Sequence, residues 1–235
     1  MSMTYAIPDL HGRFDLLERA LGAIGEHAMA AHCAKPTIVT LGDYVDRGPN
    51  SKKVIERLME IEGDTDAGRV VCLKGNHEDI MWLSCRRLLD CNWWTRNGGG
   101  HTLLSYGAKT DELIDLDLIP AAHLDWINSL ELIYRDKHRI YVHAGLDAMR
   151  PLDQHTPDDV LWKRYDDADE GGYDGLHVVH GHHAFEDGPI LKKHRTDLDT
   201  KAYKTGHLAI GVFDDDEPGG PVEILHVEGE PAPNA

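Results

Sequence analysis

Short apolar runs alternate with amphipathic segments through the first 90 residues of the chain, and this alternation limits the folds open to it. Three runs have strand character: TYAI at 4–7, TIVTL at 37–41 and RVVCL at 69–73. Each is followed by a segment with helical periodicity, and these segments lie at 14–29, 51–61 and 78–90. Strands that alternate with helices are typical of α/β proteins whose neighbouring strands run parallel.

The later strands follow one another with shorter connections. LIYR at 132–135 and RIYVH at 139–143 are separated by Asp136-Lys137, which predicts a hairpin. Further strands are predicted at 177–180, 207–213 and 222–227. The whole pattern predicts an α/β fold with mixed sheets, in which one sheet packs on the other and helices lie outside.

Composition narrows the class of protein and its expected location. A net charge of -17 over 235 residues, without a basic stripe, argues against nucleic acid or an anionic membrane as partner. No apolar run approaches the roughly 20 residues of a membrane span, and no secretory leader is visible. The four cysteines lack CxxC spacing, so we expect reduced thiols and a cytoplasmic protein. Residues 1–228 are predicted to form one domain, and 229–235 a disordered tail.

Asp, Asn or His side chains follow five of the predicted strands directly. In chain order these residues are Asp9 and His11, then Asp43 and Asp46, then Asn76 and His77, then His143, and finally His182. The carboxyl ends of strands in an α/β sheet form the crevice where ligands bind, so we expect these side chains to converge. A turn or a core histidine explains any one of these positions equally well, but not all five together.

The residue types suit a pair of divalent metal ions. Carboxylate, amide and imidazole groups at rigid strand ends are ligands for Mn²⁺, Fe or Zn²⁺ rather than for metals that prefer thiolates. Two such ions about 3.5–4 Å apart clamp the attacking and leaving oxygens of an in-line displacement, and they need a bridging carboxylate. In GDYVDRG, Asp43 is predicted to bridge, Arg47 to bind phosphoryl oxygens through its planar fork, and Asp46 to support the site.

The motifs DLHG, GDYVDRG, GNHE, VHAG and HGHH occur in this order and span most of the chain. In content and order they resemble the motifs of PPP-type metallophosphoesterases, especially the small bacterial and phage serine/threonine protein phosphatases. The resemblance implies a calcineurin-like metallophosphoesterase fold of the α/β class, with two stacked mixed β-sheets flanked by helices. It also implies a phosphomonoester hydrolase in which two metal ions activate water for in-line attack on phosphorus.

The same resemblance implies a ligand set for the two ions. Mn²⁺ is the metal expected first, with Fe or Zn²⁺ as alternatives. The implied ligands are Asp9 and His11 for one ion, Asp43 as the bridge, and Asn76, His143 and His182 for the other. His180 and His183 remain alternatives to His182, which ranks first because it follows Gly181 as the family's ligand follows glycine.

Four further residues receive catalytic roles from the resemblance. His77 is implied as the general acid for the leaving oxygen, with Asp46 orienting it and keeping it protonated. Arg47 would bind the phosphoryl group, and Arg164 of LWKR would be the second phosphate-binding arginine.

The predicted substrate is a phosphoserine or phosphothreonine side chain of a protein or peptide. The alternative is diadenosine tetraphosphate or another nucleotide at the same site, but symmetrical tetraphosphate hydrolases tend to carry alanine where this chain has Asp46. A non-catalytic binding module would be expected to lack ligands or His77, and none is missing. Substrate choice is expected to lie in residues 84–130, where Trp93 and Trp94 either line the mouth of the site or belong to the core.

Overall fold

The computed structural model describes residues 2–109 and 114–231 of the chain, and two sheets lie within them. Their strands are β1 (Met3–Ile7), β2 (Thr37–Thr40), β3 (Gly63–Thr65), β4 (Gly68–Cys72), β5 (Ile133–Arg135), β6 (Arg139–Val142), β7 (His177–His180), β8 (Ile190–Leu191), β9 (Arg195–Asp197), β10 (His207–Asp214) and β11 (Glu223–Glu228). One sheet has the order β11-β10-β1-β2-β4-β3 and the other the order β5-β6-β7-β9-β8.

Both sheets are mixed. In the first, β1, β2 and β4 run parallel, and β10 and β11 are antiparallel additions at one side. In the second, β6, β7 and β9 run parallel between antiparallel edge strands. Because β1, β2 and β4 are parallel neighbours, the residues that follow them emerge at one edge of the sheet. The same holds for the residues after β6 and β7.

Helices flank the sheets and connect them. They are α1 (Phe14–Ala30), α2 (Ser51–Ile61), α3 (Asn76–Cys85), α4 (Cys91–Trp94), α5 (Gly100–Ser105), α6 (Ala121–Ser129), α7 (Pro157–Trp162) and α8 (Ala202–Thr205). The predicted helix at 78–90 was wrong at both ends, because α3 begins earlier and stops at Cys85. Arg87 has a φ of +60°, a left-handed conformation that an α-helix of L-residues does not continue through.

Alternating side chains along the strands build three apolar layers. Ala6 of β1 packs between the sheets with Tyr141 and Val179 of the second sheet, while Tyr5 and Ile7 turn to the helices on the other face. Near-continuous apolar strands such as these bury side chains on both faces of their sheet. The predicted α/β architecture, two stacked mixed sheets flanked by helices, is confirmed.

No helix in the described ranges is long and apolar enough to cross a membrane. Of the predicted tail at 229–235, residues 232–235 lie outside the described part of the chain. The Gly229 amide donates to the Gly206 carbonyl at 2.7 Å, and Arg13 Nη2 donates to the Glu230 carbonyl at 3.0 Å. The single-domain assignment of residues 1–228 stays a prediction.

Candidate metal and phosphate site

The loops that follow β1, β2 and β4 are tied together at the carboxyl edge of the first sheet. The His11 amide donates to the Asp43 carbonyl at 2.7 Å. The fully buried carboxylate of Glu78, in the first turn of α3, accepts the amides of Gly75 at 2.8 Å and Asp43 at 2.7 Å. These bonds fix the backbone of each loop relative to the others. The side chains of the loops therefore project from defined positions.

Left-handed backbone conformations are concentrated in these loops and in the loop that follows β7. The non-glycine residues that adopt them here, with their φ angles, are His11 (+42°), Asp43 (+53°), Asp46 (+71°), Arg47 (+67°) and His182 (+66°). Each such conformation costs about 1–3 kcal/mol and persists only where the surrounding structure enforces it. Observed strain of this kind is typical of functional sites.

The Asp43 carboxylate lies between two groups of ligand atoms, and each of its oxygens faces one group. Its Oδ2 lies 3.4 Å from His11 Nε2, and its Oδ1 lies 3.5 Å from His143 Nε2. The ligand atoms of His11, Asp43 and His77 lie within 4.8 Å of one another, as do those of Asp43, His143 and His182. Asp43 is common to both groups, which is the arrangement that a bridging carboxylate requires.

Backbone carbonyls fix which ring nitrogen carries the proton in two of the histidines. His11 Nδ1 lies 2.8 Å from the Val45 carbonyl and His143 Nδ1 lies 2.9 Å from the Leu41 carbonyl. A carbonyl oxygen only accepts, so Nδ1 carries the proton in both rings and Nε2 presents a lone pair. His143 Nε2 faces another acceptor, Asn76 Oδ1, at 2.9 Å. Acceptors that converge on one another fit a cation placed between them.

His182 completes the second group, and Asp9 lies beside it. His182 Nδ1 is 3.1 Å from Asn76 Oδ1, and its buried Nε2 has no hydrogen-bond partner among the residues that the structure describes. Its amide donates to Asp9 Oδ1 at 3.1 Å. Of the alternative ligands, His180 is buried against Arg195 and His183 packs on the ring of Phe185, and neither belongs to the two groups. Asp9 is not a member of either group, although its carboxylate is buried next to them.

Burial shapes the protonation of these ligands. Burial alone would raise the pKa of Asp43, but His143, His77 and His11 around it hold that pKa well below its ordinary value. Burial lowers the pKa values of His11 and His143, and it lowers that of His182 to about 3. Neutral imidazoles and an ionised carboxylate are the protonation states that bind metal ions.

The pKa of Asp9 shifts in the opposite direction from that of Asp43. Burial raises the pKa of Asp9 well above its ordinary value, and the nearby carboxylates of Asp199 and Asp43 raise it further. A divalent cation would relieve this repulsion, because its charge reverses the local preference for the neutral acid.

Asp46 and His77 form a buried pair beside Asp43. His77 Nδ1 lies 2.7 Å from Asp46 Oδ2, and the His77 amide donates to Asp43 Oδ1 at 3.0 Å. Burial alone would lower the pKa of His77, but the carboxylates of Asp43 and Asp46 more than offset it, so the pKa is raised. His77 Nε2 lies 2.9 Å from Arg47 Nη2, and while that contact is made Nε2 accepts and the ring is neutral. Protonation of Nε2 therefore requires Arg47 to bind elsewhere.

The sequence did not reveal what holds Asp46. Trp94 Nε1 donates to Asp46 Oδ1 at 3.1 Å and Oδ2 at 3.0 Å, and Thr102 Oγ1 donates to Oδ1 at 2.7 Å. Trp94 belongs to the core and is fully buried, and Gly99 packs directly against its indole, where a Cβ would collide. In the NGGG turn at 97–100, Gly98 and Gly99 thus bring backbone close to Arg47 and Trp94, and Asn97 lies on the cavity lining.

The site opens to solvent through a narrow cavity of about 130 Å³. It is lined by Asp43, Arg47, Asn76, His77, Ile80, Trp93, Asn97, Trp162, Arg164 and His182. Six of these are among the ten residues predicted from the sequence. The other four, Asp9, His11, Asp46 and His143, are buried and contact the lining residues from behind.

Comparison with protein families and curated proteins identifies similar chains. A family model described as calcineurin-like phosphoesterase matches residues 4–210. Serine/threonine-protein phosphatase 1 of Salmonella typhimurium is 27% identical over 168 residues, which cover 68% of each chain. A symmetrical bis(5'-nucleosyl)-tetraphosphatase of Acidovorax ebreus is 30% identical over 67% of this chain and 47% of its own. For two yeast relatives, this chain spans only 33% and 25% of the relative's length.

A solved structure supports the fold independently of these sequences. A protein provisionally described as a diadenosine tetraphosphatase superimposes with a TM-score of 0.66 at 22% identity, covering 97% of this chain and 94% of the other. At this identity the likeness bears on the architecture and not on the substrate.

Proposed function

We propose that this chain, which belongs to the calcineurin-like phosphoesterase family, is a hydrolase and specifically a metal-dependent serine/threonine phosphoprotein phosphatase. The observation that carries the proposal is Asp43, whose Oδ2 lies 3.4 Å from His11 Nε2 and whose Oδ1 lies 3.5 Å from His143 Nε2. A shared carboxylate of this kind is what two metal ions acting on one phosphoryl group need.

The proposed ligands divide between the two sides of Asp43. Asp9 and His11 would hold one ion with Asp43, and Asn76, His143 and His182 would hold the other. When bound, such ions polarise phosphoryl oxygens and lower the pKa of coordinated water. The donor set of oxygen and imidazole nitrogen suits Mn²⁺, with Fe or Zn²⁺ as alternatives. We also propose the cytoplasmic location expected from the cysteine spacing.

Arginines at the cavity wall would orient the phosphoryl group. The Arg47 guanidinium lies within the cavity lining, 5.0 Å from the centre of the Tyr203 ring, and Arg164 lies on the same lining. A planar guanidinium can donate two parallel hydrogen bonds to phosphoryl oxygens. If Arg47 turns to a phosphoryl group, His77 Nε2 is released to carry a proton toward the leaving oxygen.

The size of the cavity supports a phosphorylated side chain over a nucleotide. Pockets that enclose whole small ligands measure roughly 300–1,000 Å³, and this cavity measures about 130 Å³. A phosphoryl group and the first atoms beyond it can enter, while a dinucleotide would leave most of its surface outside. The nucleotide alternative is supported by the Acidovorax ebreus relative, and the experiment below tests both substrate classes.

The substrate class is tested by measuring turnover in parallel on a phosphoserine peptide and on diadenosine tetraphosphate, with Mn²⁺ supplied. We expect the higher kcat/KM on the phosphopeptide. Faster turnover of diadenosine tetraphosphate would assign the site to nucleotides, and turnover of neither would contradict both substrate classes.

Replacing Arg47 with alanine is expected to lower kcat by roughly 10²–10³-fold, the typical cost of one lost donor to charge that develops in the transition state. Both residues carry a Cβ, so the strain at φ +67° stays. Arg87→Ala is the matched control, since Arg87 is exposed, has φ +60° and lies outside the cavity. An Arg47→Ala enzyme that turns over at the wild-type rate would remove Arg47 from the phosphate site.

Replacing Trp94 with phenylalanine removes the indole donor to Asp46 and keeps an aromatic ring in the core. We expect phosphoserine-peptide turnover to fall roughly 10–100-fold, the range for losing a partner that orients a site residue. Trp126→Phe is the matched control, because its Nε1 donates to the Glu62 carboxylate at 2.6 Å outside the site. Equal losses of turnover in the two variants would show that only packing is involved. A fall in the thermal stability of Trp94→Phe that parallels its fall in turnover would show the same.

A further inference from the structure

The side chain of Arg164 is exposed on the lining of the cavity. In the part of the chain that the structure describes, its guanidinium makes no hydrogen bond or ion pair. Residues 163–166 belong to no helix or strand, so the backbone that carries Arg164 is not held by regular hydrogen bonding either. Ordering a long, exposed side chain on binding costs conformational entropy, and the cost is lower where its backbone is already fixed.

The next residue, Tyr165, is buried and supplies a fixed point for this backbone. Its hydroxyl oxygen accepts the Leu146 amide at 2.9 Å, and the hydroxyl donates to the Leu146 carbonyl at 3.3 Å. Burial raises the pKa of Tyr165 to about 12, so the hydroxyl keeps its proton near neutral pH. Leu146 belongs to the loop that follows β6, and Tyr165 therefore joins two segments that are 19 positions apart.

The ring of Tyr165 is held as well as its hydroxyl. Gly145 has a φ of +152°, and a Cβ there would collide with the ring, so the backbone of the loop after β6 packs directly on the tyrosine. Arg195 Cζ lies 4.8 Å and Lys163 Nζ 5.2 Å from the ring centre, which are distances of cation–π contacts. A ring with these contacts has little freedom to move, and it restrains the backbone of the neighbouring Arg164.

We propose that Tyr165 is a positioning residue for Arg164, and that through Arg164 it sets how the phosphoryl group of the substrate is held. This proposal rests on the proposed phosphatase function and deepens it, because it names what places the second phosphate-binding arginine. Tyr165 is not part of the cavity lining, so it acts through its neighbour rather than by touching the substrate. The loop of Leu146 begins at His143, so the anchor places Arg164 relative to the group of side chains that includes Asp43.

Two other roles would explain the contacts of Tyr165. In the first, the hydroxyl orders the loop of His143 and acts on that residue. In the second, the ring only packs the end of α7, where Val160 and Leu161 are buried. The first role predicts a loss of turnover that does not depend on Arg164, and the second predicts a loss of thermal stability without a change in anion binding. Both differ from a role that is exerted through Arg164.

The test is a double-mutant cycle on the Mn²⁺-loaded enzyme with Tyr165→Phe, Arg164→Ala and the combined variant. Phenylalanine keeps the ring and removes only the hydroxyl. We expect Tyr165→Phe to lower kcat/KM for a phosphoserine peptide about tenfold, since a small misplacement of a positioned group costs up to about 10²-fold. In the Arg164→Ala background the same substitution should change kcat/KM by less than about twofold, because the two residues act as a unit. Tyr173→Phe is the matched control, since its hydroxyl donates to the Arg150 carbonyl at 2.8 Å outside the cavity.

Calorimetry with inorganic phosphate gives a readout that does not need turnover, and all variants are compared well below their melting temperatures. The dissociation constant of phosphate should rise by a similar factor in Tyr165→Phe and in Arg164→Ala, and no further in the combined variant. Losses that add in the combined variant, or an unchanged phosphate affinity in either single variant, would overturn the proposal. A loss in Tyr165→Phe no larger than that in Tyr173→Phe would overturn it too. Failure of the proposed function would appear separately, as absent hydrolysis of the phosphopeptide, and the cycle on phosphate binding would still test the anchor.

Discussion

Asp43→Asn is expected to leave the Mn²⁺-loaded protein with fewer than two metal ions per chain and to abolish most of its activity. A bridge at Asp43 would need both charged oxygens, and Oδ2 lies toward His11 and Oδ1 toward His143. Asparagine keeps one oxygen and replaces the other with an NH₂ group that cannot bind a cation. Because a bridging carboxylate would contact both ions, the loss should exceed the roughly 10–100-fold that removing an outer partner of a metal site costs.

The variant should fold, which keeps the result interpretable. Asparagine tolerates left-handed conformations such as the φ of +53° at this position, and its oxygen can still accept the His77 amide. Asp174→Asn is a matched control, since Asp174 has a φ of +48° and is exposed. Metal analysis after removal of free Mn²⁺ gives the measurement. Two ions retained by Asp43→Asn, or one ion in the wild type bound away from Asp43, would contradict the dinuclear site.

The fold and the convergence of the site residues were predictable for one physical reason. Near-continuous apolar runs such as TIVTL belong to strands buried on both faces, and such strands end together at one edge of a sheet. Polar residues placed directly after several of these runs must then meet. The short strands were missed because they lack this signal: β9, with the sequence RTD, is buried although its ends are charged.

The residues that support the site were harder to predict, because their contacts are distant in sequence. Trp94 and Thr102 reach Asp46 across 48 and 56 positions, and only the folded chain brings them together. Glu78 had a local signal, since a glutamate in the third position of a helix often accepts the amide of the residue before the helix, as it does here from Gly75. Lys201 has a φ of +57°, a left-handed conformation that favours glycine, and nothing in the local sequence predicted it.

His77→Asn is expected to affect substrates according to their leaving groups. A serine alkoxide is a poor leaving group and needs a proton, whereas nitrophenolate departs readily without one. If His77 donates that proton, phosphoserine-peptide turnover should fall by roughly 10²–10⁴-fold, the usual contribution of general acid catalysis. Turnover of 4-nitrophenyl phosphate should fall much less. The raised pKa of His77, which Asp43 and Asp46 maintain against burial, is the property that suits it to this role.

Metal content separates this role from the main alternative. The ring of His77 lies within 4.8 Å of the ligand atoms of His11 and Asp43, so a ligand role is the competing explanation. A ligand's loss would lower both activities together and remove an ion, whereas loss of the acid leaves two ions bound. His177→Asn controls for buried imidazole, because His177 is 3% exposed and contacts Thr196 at 2.9 Å outside the cavity. Equal losses on both substrates with both ions retained would reject proton donation and leave His77 as a source of electrostatic stabilisation only.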